Sequence, residues 1–441
     1  MPSVTDTQTS TTAPRPRLRH RVRSKVMVLL CIFYALAYID RSNISTAAPF
    51  IKSDLHLSDA QLGLAFSAFA LSYAFLQMPG GWLGDRFGAR RTLAWLGGAW
   101  TVATVGTGAS SGLGTLFAAR LALGASESAA FPTATTAMSR WLPAQLRGTG
   151  QGLVHAASRL GAAAAPLLVG AIIAVSSWRV SFYVVGGLSL LWAACWFAYF
   201  RDRPRDHAAV RSVELEELAC GEAATDGRAP TPWRTVVPAL LPVAIVDFCY
   251  GWLLWVYITW LPTVFHSSFG LDVGSYALYT SLVLAAGALG DLVGGWLADA
   301  LMRRCRSRRT ARRLPLVIGL GGSLVALVPA LLVQQLLVVT VSLAAAYFLL
   351  ELTNSTLWAL PMDMVPEHAG AASGFMNTGF GLAGTLSPLV FGLLLGATDG
   401  NWRVPLTVSL VLLVVGVVVA FRIQPHRRVP VGAGGEAASV P

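Results

Sequence analysis

Charge is what this sequence has least of. Asp, Glu, Lys and Arg make up 12% of the 441 residues, against about 25% in soluble globular chains, which argues against a set of ordinary soluble domains. Lysine is nearly absent: only Lys25 and Lys52 occur among the 33 basic residues. Cysteine is sparse too, and the five residues (31, 195, 220, 249 and 305) show neither CxxC spacing nor an even pairing pattern, which excludes a disulfide framework and a cysteine metal site. No metal-ligand spacing, phosphate-binding glycine loop or nucleophile constellation occurs, so neither an enzyme nor a cofactor is expected, and any work must be driven by a gradient. The polar–apolar alternation of barrel strands is missing. The first 24 residues have no apolar core, so no cleavable signal peptide is expected.

Long apolar runs are what the chain has instead, with 54% hydrophobic residues and a mean hydropathy of +0.59. Crossing the hydrocarbon core takes about 20 mainly apolar residues. Such blocks lie near 26–48, 60–83, 91–111, 113–136, 147–175 and 179–200, then near 236–265, 275–301, 314–334, 336–361, 369–397 and 402–421. Without water to satisfy backbone groups, each must be helical. The expected fold class is an all-α integral membrane protein with twelve spans. The charged, proline-containing stretch 201–235 reads as a linker between an N-terminal half, 26–200, and a C-terminal half, 236–422, flanked by tails 1–25 and 423–441.

The net charge of +11 is a topology signal rather than a nucleic-acid footprint. With the amino terminus inside, 27 of the basic residues fall in cytoplasmic segments and only Lys52, Arg179 and Arg403 fall outside, as the positive-inside rule requires. Both termini are therefore expected in the cytoplasm of a bacterial inner membrane, with the lipid bilayer as partner and basic runs such as Arg303 to Arg313 near the anionic leaflet.

The halves repeat one another. Gly80-Gly-Trp-Leu-Gly-Asp85 recurs as Gly294-Gly-Trp-Leu-Ala-Asp299, an offset of 214, and Ala165-Pro-Leu-Leu-Val-Gly170 as Ser387-Pro-Leu-Val-Phe-Gly392, an offset of 222. A parallel repeat of this kind places a substrate path between the halves near the midplane.

Charges inside the apolar blocks mark candidate sites, since each costs about 2.5–3.5 kcal/mol at mid-bilayer. Block 1 carries Tyr38-Ile-Asp40-Arg41-Ser-Asn43; Tyr34, Tyr38, Arg41 and Ser45 share one face. Block 4 carries Arg120 and Glu127 on one face, roughly 10 Å apart along the axis, with Gly124 between them leaving room for a ligand or another helix. Block 5 carries His155 and Arg159, one turn apart. Three arginines against two acids suit an anion, above all a carboxylate gripped by a guanidinium fork. Asp40 and Glu127 are candidate proton carriers. Arg159 is either a further anion contact or a counter-ion to Glu127, and Glu351 has no evident role. Asp247 and Asp291 are expected to pair with cytoplasmic-side arginines or helix ends in gating. Trp141 and Trp402 are expected as interfacial anchors, and the glycines of blocks 5 and 11 as close-packing positions.

The segment Gly81-Trp-Leu-Gly-Asp85-Arg86-Phe-Gly88-Ala-Arg90-Arg91 resembles the signature loop between helices 2 and 3 of the major facilitator superfamily. The resemblance implies a gating role for Asp85, Arg86 and Arg90, echoed by Asp299 in the second half. Tyr38 to Asn43, Phe66 to Tyr73 with Gln77, and Arg120 to Pro132 resemble the anion:cation symporter family, which includes bacterial permeases for galactonate, glucarate, hexuronates and phthalate. Tyr257 to Pro262, Trp358 to Pro366 and Gly374 to Asn377 continue the match. It implies substrate contacts from Arg41, Tyr38, Tyr73, Gln77, Arg120, Arg159, Tyr257, Trp358 and Asn377, and proton coupling through Asp40 and Glu127. Arg159 departs from the glutamine expected in the galactonate type. The expected activity is import of a small organic anion, a sugar acid or other carboxylate, with protons, by a monomer through alternating access. The alternatives are a proton-coupled exporter and a transporter-like membrane sensor.

Overall fold

The computed structural model describes residues 21–142, 144–210, 233–305, 307–365 and 369–424. Among these, seven helices precede the linker region: α1 (Arg21–Asp54), α2 (Asp59–Phe87), α3 (Ala89–Gly108), α4 (Leu113–Ser128), α5 (Ala130–Trp141), α6 (Ala144–Val175) and α7 (Trp178–Tyr199). Seven follow it: α8 (Trp233–Phe269), α9 (Val273–Arg304), α10 (Arg308–Leu332), α11 (Leu336–Glu351), α12 (Asn354–Met364), α13 (Ala369–Ala397) and α14 (Arg403–Ala420).

Fourteen helices make twelve spans because two spans are broken. Blocks 113–136 and 336–361, expected as single helices, are each split. Pro132 has no N–H to give the Ser128 carbonyl, and the path turns from α4 into α5 at Ala129. Between α11 and α12 the chain tightens to i→i+3 bonds, Leu352 N–H to Leu349 O at 3.2 Å and Thr353 N–H to Leu350 O at 3.1 Å, a 3₁₀-like turn. Ten of the helical runs are long and apolar enough to cross a membrane by themselves. The other two spans are α3, diluted by Arg90, Arg91, four Thr and four Gly, and the α4–α5 pair, neither half of which is long enough alone. Outward-facing apolar side chains such as Val175, 86% exposed, are what a protein bathed in lipid tails presents.

In the first half α1 packs on α6, α3 on α7 and α2 on α4; in the second α8 packs on α13 and α14, and α9 on α11. The halves meet along two crossings, α2 with α13 and α6 with α9, and α1 also touches α8. The repeat is visible here in three dimensions. A Cβ on Gly392 would lie 2.4 Å from the Asp59 carbonyl oxygen, and one on Gly170 would lie 2.9 Å from Ala277 Cβ and 3.5 Å from the Val273 carbonyl oxygen. Asp59 and Val273, like Gly170 and Gly392, are equivalent under the offsets of the two repeated motifs. Glycine at these positions lets the helices of opposite halves touch backbone to backbone, as expected for blocks 5 and 11.

The described contacts between halves run from the end holding Lys52 and Asp59 to the middle of the bundle. At that end Tyr276 donates to the Thr46 carbonyl at 2.8 Å and Gly63 abuts Pro388. Halfway along, Gly381 of α13 lies against Ala74 of α2, with a Cβ–Cβ approach of 2.8 Å if a methyl were added. At the other crossing the middle is occupied by Arg159 and Asp291. Under the repeat Arg159 corresponds to Gly381 and Asp291 to Gln77, so one crossing is charged where the other has a glycine and a neutral amide.

Trp141 and Trp402 are not interfacial anchors. Both are buried, and Trp141 donates its indole N–H to the Arg201 carbonyl at 2.9 Å, so the ring seals the junction of α5 with the end of α7.

Candidate functional site

Two clusters of buried charge occupy the middle of the bundle. The first lies within the N-terminal half. Arg41 Nε of α1 is 2.7 Å from Glu127 Oε2 at the end of α4, with the two side chains 7% and 1% exposed. The rings of Tyr38, Phe69, Tyr73 and Phe131 surround the guanidinium at 4.7–5.1 Å from its centre, a cation–π cage. Arg120 meets the same Phe69, its guanidinium centre also 5.1 Å from that ring. Both arginines are buried yet incompletely satisfied: Arg41 Nη2, Arg120 Nε and Nη1, and Glu127 Oε1 have no hydrogen-bond partner. Buried polar atoms are rarely left so, and N–H groups of this kind are ready for an anion.

Asp40 points the other way round α1. It accepts hydrogen bonds from Trp100 Nε1 and Thr104 Oγ1 of α3 and is fully buried. Gly124 resolves the choice left open by the sequence: its space is taken by another helix. Ser72 Oγ of α2 donates to the Leu121 carbonyl at 2.8 Å, and a Cβ at Gly124 would collide with the Phe69 carbonyl at 2.1 Å. That close approach is what brings Phe69 within reach of both arginines.

The second cluster joins the halves. Arg159 of α6 reaches across to Glu351 Oε2 at 3.0 Å and Asp291 Oδ2 at 3.3 Å. Tyr250 of α8 donates to the same Glu351 oxygen at 2.9 Å, and Asn354 Nδ2 donates to Asp291 Oδ1 at 2.9 Å. Glycines on α9 make the arrangement: Gly287 lies against Tyr347, Gly290 against Phe348 and Gly294 against Leu352, each too close for a side chain. They draw α11 onto α9 and set Glu351 beside Asp291.

Two expectations are corrected here. Arg159 does not neutralise Glu127; its partners are Glu351 and Asp291. Asp291 does not pair with a cytoplasmic-side arginine or a helix end. Glu351, to which the sequence assigned no role, is central to the cluster. Tyr257 is not brought to the arginines either: its hydroxyl donates to the Leu343 carbonyl at 2.9 Å, and it reaches the second cluster only by stacking on Tyr347, 4.7 Å between centroids. Trp358 lies on α12, 40% exposed, and Asn377 is half-buried on α13. His155 meets the Tyr34 ring edge-on at 6.0 Å. Asp247 is buried in α8 with Oδ2 unpartnered.

At the arginine-rich end, Arg90 donates its backbone N–H to Asp202 at 3.1 Å and its Nε to the Phe197 carbonyl at 2.9 Å. Arg140 approaches the same Asp202 at 3.8 Å, so this carboxylate ties α3, α5 and the end of α7 together. Arg86 is exposed against Phe87, and Asp299 is exposed on α9. In the second half Arg312 holds Asp363 at 2.8 Å, joining α10 to α12. The side chains of Gln77 and Asp85 lie outside the described residues.

The sequence profile of the Major Facilitator Superfamily matches residues 30–388 and 307–440. The chain is 43% identical to a probable sulfoacetate transporter of Cupriavidus necator over 91% of this chain and 94% of that protein. It is 30% identical to a D-galactonate transporter of Escherichia coli over 84% of this chain and 89% of that protein, and 29% identical to a hexuronate transporter of Bacillus subtilis over 85% and 89%. Its fold matches that of a bacterial homologue of the human lysosomal transporter Spinster, solved inward-facing and unoccupied, with a TM-score of 0.75 at 18% identity over 93% of this chain and 98% of that one. These relatives are membrane transporters and not enzymes. A twelve-span bundle of two repeated halves, a helix 2–3 signature loop and this set of relatives agree: the chain belongs to the major facilitator superfamily, with permeases of the anion:cation symporter type among its relatives.

Proposed function

We propose that the protein imports a small organic anion together with protons by alternating access, with Arg41 and Arg120 as the anion ligands and Glu127 as a coupling acid. The observation that carries the reading is the first cluster: two buried guanidiniums with unclaimed N–H groups, one of them occupied on its other side by Glu127. Arg41 and Arg120 against Asp40 and Glu127 make a cluster of no net charge when all four are ionised. An incoming anion would leave it negative in a medium where unpaired charge is expensive. A proton on Glu127 removes that excess and frees Arg41 Nε for the substrate. Loss of the proton returns Glu127 to Arg41 and drives the anion off.

A guanidinium fork takes a carboxylate or a sulfonate equally well in geometry. The similarity to a probable sulfoacetate transporter and to sugar-acid carriers supports sulfonated and carboxylated anions as the first candidates. Tyr38, Tyr73, Gln77, Trp358 and Asn377 are proposed to complete the site, with Arg159 at its inter-half edge. Asp40 is proposed as a second coupling acid of the N-terminal half, and Asp85, Arg86, Arg90 and Asp299 as gating residues. With the amino terminus in the cytoplasm of a bacterial inner membrane, the end holding Lys52 and Asp59 faces outward.

The test is uptake of radiolabelled sulfoacetate, sugar acids and aromatic acids into proteoliposomes with and without an inward proton gradient. Arg120→Ala should lower apparent affinity about 10- to 100-fold, the loss of a charge-assisted hydrogen bond worth about 1.5–3 kcal/mol. Glu127→Gln should keep anion exchange while losing gradient-driven accumulation. Proton-driven efflux of neutral or cationic compounds, with no anion uptake, would move the protein to the exporters.

A further inference from the structure

Glu127 and Glu351 occupy matching positions in the two halves. Each lies in the last turn of a helix that breaks in mid-span, α4 at Ala129 and α11 at Leu352. Each gives Oε2 to an arginine, Arg41 at 2.7 Å and Arg159 at 3.0 Å. Each keeps Oε1 buried with no hydrogen-bond partner. The surroundings differ in charge. Two arginines face two acids around Glu127, whereas around Glu351 the single guanidinium of Arg159 is shared with Asp291.

We infer that Glu351 is a further proton-binding site, belonging to the C-terminal half, and that it holds a proton on Oε1 while Asp291 keeps Arg159. Two carboxylates sharing one cation away from water cannot both be ionised cheaply. Geometry selects which one takes the proton. Asp291 is 16% exposed and has Asn354 as a donor on its other oxygen, whereas Glu351 is wholly buried and its Oε1 has no donor. The groups facing Glu351 are Arg159 from α6, Tyr250 from α8, Asp291 from α9 and Tyr347 one turn back on α11. His155, within electrostatic range of Asp291, forms no ion pair with either acid among the described residues. Arg159 already stands between the carboxylates and supplies the positive charge they share.

The proton has a mechanical consequence, because Arg159 and Glu351 belong to opposite halves. Ionised, Glu351 adds a tie from α6 to α11 across the interface, beside the α6–α9 tie that Asp291 makes to the same arginine. Protonated, it leaves Arg159 tied to Asp291 alone, with N–H groups released for the second acid group of an anion. This role in transport rests on the proton-coupled reading above, whereas the protonation itself can be read without any substrate.

The experiment is infrared difference spectroscopy of the purified full-length protein between acid and alkaline pH. A carboxylic-acid carbonyl band persisting at neutral pH in the wild type should be lost in Glu351→Gln. It should be lost as well in Asp291→Asn, where Glu351 becomes the sole partner of Arg159; this variant serves if Glu351→Gln fails to fold. A band unchanged in Glu351→Gln, or one retained in Asp291→Asn, overturns the inference, as does its displacement by sodium at constant pH. In proteoliposomes Glu351→Gln should move one proton fewer per anion while exchange continues. Proteoliposomes that take up no anion would defeat the transport reading and leave the infrared result standing by itself.

Discussion

A methyl group added at Gly124 would lie 2.1 Å from the Phe69 carbonyl oxygen and 2.3 Å from Ser72 Oγ, contacts that only movement of α2 away from α4 can relieve. Gly124→Ala is expected to cost about 1–3 kcal/mol, the usual range for overpacking a tight contact, and to depress uptake by withdrawing Phe69 from the two arginines. A thermal scan in detergent beside an uptake assay checks both effects; an unshifted melting temperature would mean that the two helices part freely. At this scale the sequence was most informative about charge. Arg41, Arg120 and Glu127 stand out in apolar blocks, and the structure brings them into one cluster. Arg159, Glu351 and Asp291 stood out by the same signal, but their pairing was not legible. The partners are 132 and 192 residues apart, and nothing local encodes which half each side chain faces. Asp40 shows the limit from the other side: adjacent to Arg41, it turns about 100° around the helix and accepts from α3 instead.

Among the elements, the two broken spans escaped notice because hydropathy averages over a break. Pro132 was a readable cue for the first; the turn after Glu351 has no proline or glycine, only Thr353, whose hydroxyl donates to the Leu350 carbonyl at 2.7 Å. The α2–α3 connection was far more legible, since Gly88 has φ 79°, a left-handed conformation that glycine adopts freely. A Cβ there would lie 2.7 Å from Asp202 Oδ2. Gly88→Ala should therefore cost about 1–2 kcal/mol in backbone strain and push away the carboxylate that accepts from the Arg90 N–H. The expected result is several-fold slower transport with little change in anion affinity. A lowered affinity at unchanged rate would argue that this loop does not govern the conformational step.

Taken whole, the molecule carries its repeat in three dimensions: residues equivalent under the motif offsets make equivalent contacts between the halves. A Cβ on Gly396 would lie 4.0 Å from Asp59 Cβ, within the span of a disulfide. In a background without the native cysteines, Asp59→Cys with Gly396→Cys should cross-link under mild oxidation and stop transport until a reductant is added. Transport that continues at full rate in the cross-linked protein would show that this end stays closed throughout the cycle.

The unequal crossings have a consequence for how such a molecule can move. At mid-height one seam holds Arg159 and Asp291, while its counterpart has Gly381 packed on Ala74. Under the proposed protonation of Glu351 the hold on Arg159 at the first seam is adjustable, whereas a backbone-to-side-chain fit between two small residues has nothing to titrate. On that proposal the two repeated halves would work as a door and its frame, hung on α2 and α13 and bolted where α6 meets α9 and α11.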